Sequence, residues 1–409
     1  MYRFALVIFG IFFFVFGFVT WLNSVLIPYL KIVCELPSNW QAYLVAFAFY
    51  ISYFVMALPS AWFLEKVGFQ KGMAWGLLIM AIGSIIFIPA AENRMYEVFL
   101  AGLFVQGTGL AILQTAVNPF VAILGKPESA AQRISIMGIA NKTAGIISPI
   151  VLGFIVFSDI ESIEKELSTA TITQKAQILT DLASKVIEPY GIMAFVLILL
   201  AVMIRFVSLP NVAPESKESD SSKSLWQYPQ LVLGVIALFL YVGVEVIAGD
   251  TIIQYGISWG YNKQEAKFFT SFTLAGMLVG YVIAIFTIPR FLSQAKVLAI
   301  SAILGIVFSI FILITEKSVS VMSVALLGLA NSVMWPAIFP LAIADLGKNT
   351  PKGSALLIMA IAGGALMPLM YGGIADWLKN EQFAYIILIP AYAFIAYYGI
   401  KGYKKRSWR

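Results

Sequence analysis

Histidine is absent from this 409-residue chain and cysteine occurs once, as Cys34. No internal disulfide can form, and zinc sites and proton relays built on imidazole are excluded. Charge is scarce as well: 12% of residues are charged against 60% hydrophobic, and the mean hydropathy is +0.89. That leaves too little polar surface to clothe soluble domains of this size, so lipid must be the solvent. The apolar runs lack the two-residue alternation of a membrane barrel, which leaves helices as the only way to satisfy the backbone in lipid. The net charge of +6 is densest in the tail after residue 400, directly behind the last apolar run, where it reads as a membrane flank and not as a nucleic-acid surface. Gly107-Thr108-Gly109 lies inside an apolar run and is no phosphate loop. Paired acids, a metal-ligand set and a nucleophile with its base are all missing from the spans, so neither an enzyme nor a cofactor is expected.

What remains is twelve apolar stretches, at 4–33, 40–65, 71–91, 95–124, 132–157, 189–208, 226–259, 265–289, 294–315, 318–346, 353–377 and 382–400. The first begins Met1-Tyr2-Arg3 and continues past Trp21 without a small-residue cleavage site, the pattern of a retained helix. A Ser/Pro-rich polar stretch at 210–224 divides the set into an N-terminal bundle at 1–208, a linker at 209–225 and a C-terminal bundle at 226–409. Basic residues such as Lys66, Lys71, Arg205, Arg290 and Lys296 share one side with the tail, which predicts both termini in the cytoplasm. The long loop at 158–188 has the spacing of short amphipathic helices. The halves echo each other: Ile136-Met137-Gly138-Ile139-Ala140 parallels Ile358-Met359-Ala360-Ile361-Ala362, and Asn118-Pro119-Phe120 parallels Phe339-Pro340-Leu341, at an offset of roughly 220 residues. Duplicated six-helix units point to alternating access between rocking halves.

Four motifs then become recognisable. They are Asn23-Ser24-Val25-Leu26-Ile27-Pro28 in the first stretch, Gln114-Thr115-Ala116-Val117-Asn118-Pro119-Phe120 in the fourth, Tyr241-Val242-Gly243-Val244-Glu245 in the seventh, and Asn331-Ser332-Val333-Met334-Trp335-Pro336 in the tenth. In these the chain resembles, from end to end, the fucose:proton symporter family of the major facilitator superfamily, especially its glucose/galactose branch. The resemblance implies an all-α fold of two pseudo-symmetric six-helix bundles, with a hexose and a coupling ion bound between helices one, four, seven and ten. It further implies residence in the bacterial inner membrane. Two positions depart from the family: Ser24 stands where members usually have aspartate, and Gln114 where fucose-transporting members have glutamate. Neither side chain titrates, so the family's proton carriers are missing from their usual places. The gating motif Gly-x-x-x-Asp-Arg is not intact around Glu65, Lys66 and Lys71 either.

A hexose offers hydroxyls that donate and accept, and C–H faces that stack on rings. Amides at the motif positions, Gln114, Asn118, Asn141, Asn331 and Asn23, are therefore the expected sugar ligands, with Trp335 and Trp21 as stacking platforms. Amides of this kind can instead join helices. Charged groups inside lipid are costly and each needs a partner or a purpose. Glu245 is expected to accept from the sugar, to carry the displaced proton, or to pair with Lys142, which is itself a gate, a tuner of the acid or a snorkelling residue. Asp250 is expected to reach interfacial water. Ser24 with Asn23 could supply oxygens to sodium. The overall expectation is a monomeric hexose transporter whose partners are the sugar, a proton or sodium ion and lipid. An uncoupled uniporter and a sugar sensor without transport are the alternatives.

Overall fold

The structure is a computed structural model describing residues 2–123, 130–206, 224–288 and 290–408, with some side chains inside these stretches, Asn118 and Arg133 among them, outside the description. Among the described residues twelve helices are long and apolar enough to cross a membrane. They are Val7–Val33, Leu44–Val67, Phe69–Glu92, Tyr96–Val117, Ile134–Val156, Ile172–Ile204, Pro229–Asp250, Lys263–Thr287, Gln294–Ile314, Lys317–Ile343, Lys352–Leu378 and Glu381–Lys404, called spans one to twelve below. Most of the linker expected at 209–225 lies outside the described residues. The loop at 158–188 forms the helices Ile160–Thr169 and Ile172–Ser184, the second running into span six through Ile187–Ile204. That second helix is tied to span one by the hydroxyl of Tyr29, which donates to the carbonyls of Leu182 at 2.6 Å and Ala183 at 3.1 Å. Trp40, Trp62, Trp75, Trp226 and Trp377 are exposed near span ends, the placement of aromatic anchors.

Packing repeats between the halves. Span one lies on five as seven lies on eleven; two lies on four as eight lies on ten; three lies on six as nine lies on twelve. The halves meet through a symmetric pair of contacts, span five against eight and span two against eleven. Without a hydrophobic driving force between helices in lipid, close backbone approach must hold such pairs together, and that requires glycine. A Cβ at Gly107 of span four would strike the carbonyl oxygen of Phe49 in span two. At Gly328 of span ten it would strike the carbonyl of Thr273 in span eight. The two glycines are separated by the same offset that relates the sequence repeats.

Spans one and ten are each broken near the middle, and the same residues cause both breaks. Asn23-Ser24-Val25-Leu26-Ile27-Pro28 and Asn331-Ser332-Val333-Met334-Trp335-Pro336 share the pattern Asn-Ser-Val, two residues, then Pro. Proline removes the N–H that would bond the carbonyl four residues earlier and opens the helix there. In span one the first helix ends at Trp21 and a second begins at Asn23; in span ten the helices end at Asn331 and resume at Met334. The serine hydroxyl of each motif turns back to its own backbone, Ser24 to the carbonyl of Trp21 at 2.8 Å and Ser332 to that of Leu329 at 2.8 Å.

Gly107→Ala and Gly328→Ala should each lower stability by about 1–3 kcal/mol through overpacking. Gly373→Ala, whose added Cβ meets nothing within 4 Å, should be neutral. Thermal unfolding in detergent measures all three, and equal melting temperatures would contradict the role given to the close approaches.

Candidate functional site

A charge in the membrane interior persists where it is paired, because lipid offers it nothing. The carboxylate of Glu245 in span seven accepts from the ammonium of Lys142 in span five at 2.8 Å. Their side chains are 12% and 8% exposed, and the ammonium also stands 4.6 Å from the centre of the Trp21 ring. The pair therefore bridges the two halves. Around it runs a crevice lined by Phe13, Gln114 and Asn141 from the N-terminal half and by Tyr241, Tyr281 and Trp335 from the C-terminal half. The amide of Gln114 donates to the hydroxyl of Tyr53 at 3.1 Å, and that of Asn141 to the main-chain carbonyl of Phe13 at 3.2 Å. With those donors engaged, the amide oxygens are the groups that can accept from a solute. Amide oxygens, one paired carboxylate and several rings suit a neutral polyhydroxylated solute. Among the described residues no group of three or more potential ligands could hold a metal ion.

The crevice is closed toward the face opposite the chain termini. Trp21 fills the space over Gly145 of span five and Gly249 of span seven. Beyond it Ser271 of span eight donates to the carbonyl of Ile146 at 2.9 Å, and Gln264 donates to the carbonyls of Phe157 and Ser158. At the rim the carboxylate of Asp376 accepts from the backbone N–H groups of Asn39 at 3.1 Å and Trp40 at 2.9 Å, again joining one half to the other. Phe13, Tyr281 and Trp335 all lie on the terminus side of this seal.

A family model described as Major Facilitator Superfamily matches residues 8–359. The chain belongs to the major facilitator superfamily. It is 35% identical over 408 residues to a glucose/galactose transporter of Brucella abortus, covering 98% of this chain and 95% of that relative. Its identity to the L-fucose-proton symporter of Escherichia coli is 29% over 383 residues, covering 91% and 86%. Among solved structures it superimposes with a TM-score of 0.74, at 27% identity and over 97% of this chain and 98% of the other, on the transporter FucP in the outward conformation. The major facilitator fold is thus established, with the architecture of a membrane transporter and not of an enzyme.

Within that fold the expected site residues separate into two groups. Gln114, Asn141, Trp21, Trp335, Glu245 and Lys142 are brought together at the crevice. Asn23, Ser24 and Asn331 are fully buried away from it, at the helix breaks. The side-chain oxygen of Asn331 accepts from the hydroxyl of Tyr392 in span twelve at 2.8 Å, while both polar atoms of Asn23 have no partner. The side chain of Asn118 lies outside the described residues. Asp250 does not reach interfacial water as expected but is wholly buried. Past the end of span seven, and still within the stretch expected at 226–259, the chain breaks at Thr251 and continues as the helix Ile252–Ser258, and the Thr251 hydroxyl is 2.7 Å from that of Tyr385. Phe13 and Tyr281 were not foreseen, since aromatic residues are too abundant in lipid-facing sequence to single out. Tyr241 carried a signal, standing one helical turn before Glu245 on the same face.

Removing one partner of a buried ion pair strands the other, at a cost of about 3–5 kcal/mol. Lys142→Met and Glu245→Gln should each destabilise the protein more than the double variant does. Melting temperatures of the three, compared with the unaltered protein, give the coupling, and simple additivity would mean that the pair contributes no mutual stabilisation.

Proposed function

We propose that this protein is a secondary transporter that carries a hexose, glucose or galactose ahead of fucose, across the bacterial cytoplasmic membrane by alternating access. The halves at 1–208 and 226–409 rock about the contacts of span five with eight and two with eleven, and the sugar occupies the crevice between them. The amide oxygens of Gln114 and Asn141 accept hydrogen bonds from its hydroxyls, Trp335 and Trp21 pack its C–H faces, and Glu245, held by Lys142, accepts a hydrogen bond from a further hydroxyl. Symport with a proton or sodium drives accumulation. The single observation carrying this proposal is a crevice of amides and rings about one cross-half ion pair, with polar links between the halves on the side away from the termini. The relatives described above, a glucose/galactose transporter and an L-fucose-proton symporter, support the choice of solute and of symport.

The distribution of basic loop residues supports cytoplasmic termini, which puts the polar links at Ser271, Gln264 and Asp376 on the outer side.

Uptake of labelled glucose, galactose and fucose into proteoliposomes under an imposed pH or sodium gradient tests the assignment. Accumulation of glucose or galactose under one gradient is expected, and Gln114→Ala and Trp335→Ala should each lose tenfold or more in apparent affinity, about 1.4 kcal/mol. Failure to move any of the three sugars overturns the choice of solute. Equilibration without accumulation makes the protein a uniporter. Unchanged uptake by both variants removes those residues from the site.

A further inference from the structure

Asp250 is a buried acid that the sugar site does not use. It is fully inaccessible, and neither carboxyl oxygen has a hydrogen-bond or ion-pair partner. It follows Glu245 on span seven by roughly 7.5 Å along the axis, at about 1.5 Å per residue, on the sealed side of the crevice. Next to it, the ring of Trp21 covers Gly249. Span one packs against span seven here and brings a second group without partners, the amide of Asn23. The acid thus lies where the two halves must part for the crevice to open to the other face.

Among the described residues no cation pairs with it. Glu245 on the same helix and the phenols of Tyr43 and Tyr50, from the helix pair at the start of span two, stand within electrostatic range. Behind Tyr43 stand Tyr371 of span eleven and then Tyr385 of span twelve, with ring centres 5.7 Å and 4.8 Å apart in turn. Thr270 and Thr273 of span eight are turned to the carbonyls of Gly249 and Ala248. The cations of the adjoining helices are committed elsewhere: Lys142 to Glu245, Lys31 to Asn39 and Lys267 to Gln264. An ionised carboxylate without partner in such a place would be penalised by far more than protonation costs, so the group must be neutral here.

We infer that Asp250 is the carboxyl that carries the coupling proton: it holds the proton while the seal beside Trp21 is closed and exchanges it with water when spans one and two separate from seven and eleven. The step is a simple one, Asp250 carboxylic acid giving carboxylate and a proton to the water entering the opened interface, and the reverse on closing. The inference rests on the transporter assignment above and adds the residue and the ion. It requires no titration at Ser24 or Gln114, which have none to offer.

The test compares wild type with Asp250→Asn in proteoliposomes, in two assays: sugar accumulation driven by an imposed pH gradient, and sugar counterflow with no gradient. Wild type should perform both. Asp250→Asn, a neutral match for the protonated acid, should keep counterflow and lose pH-driven accumulation at least tenfold, while Asp250→Glu restores it. Should Asp250→Asn not fold, Asp250→Ser carries the same test, because either change removes the proton. If the neutral variants accumulate sugar with the pH gradient as wild type does, the inference is overturned and the transporter assignment stands. If wild type accumulates sugar with a sodium gradient alone, the proton role is overturned. If wild type moves no sugar in either assay, the transporter assignment itself fails.

Discussion

Lipid forms no hydrogen bonds and stabilises no charge, and the arrangement of this molecule follows from that constraint. Three ionisable side chains concern its centre. Lys142 and Glu245 neutralise each other across the boundary between the halves, and Asp250 has no counterpart. An ion pair that spans two moving bodies differs from one inside a helix bundle, because separating the bodies exposes both charges to the water that enters between them. The cost of breaking the pair is thereby reduced in the open state and restored in the closed one, which makes the pair compatible with motion where a pair buried within one half would not be.

Much of the fold is legible in the sequence, since spans are set by composition and length, and the repeat survives in the order of Gly, Pro and Met motifs. The twelve stretches and the short helices of the loop at 158–188 follow from hydropathy and period alone. The candidate site was only partly legible. Gln114, Asn141 and the Lys142–Glu245 pair could be found because polar groups are rare in apolar runs and each needs a reason. Asn23, Ser24 and Asn331 carry the same polar signal for another purpose: they sit where Pro28 and Pro336 open the helices, and two serines repair the backbone there. Sequence cannot distinguish an amide facing a cavity from one buried at a helix break, because both are polar residues in an apolar run. Phe13 and Tyr281 fail for the opposite reason, being apolar among apolar neighbours.

The burial of Asp250 belongs to the same class of error. Hydropathy places a residue by its distance from the end of a run, and Asp250 lies in the last third of the run at 226–259. The break at Thr251 and the continuation through Ile252–Ser258 extend the body of the protein past it, and Tyr43 and Tyr50 stand close to it. Depth in a helical bundle is fixed by neighbouring helices, and a single chain segment carries no information about them.

The seal itself is built to open. Gly145 and Gly249 admit the Trp21 ring between spans five and seven without interlocking side chains. Several of the polar links across the seal end on backbone groups: Ser271 and Gln264 on carbonyls, and Asp376 on the N–H groups of Asn39 and Trp40. Asp376 is already near solvent, so water can replace its partners at small net cost, on the order of 1 kcal/mol per bond. Within each half the contacts are of another kind, backbone against backbone at Gly107 and Gly328, where a separation would leave voids that neither lipid nor water fills well. Weak, wettable links between halves and tight, dry ones within them are the physical condition for two rigid bodies to rock about a shared crevice.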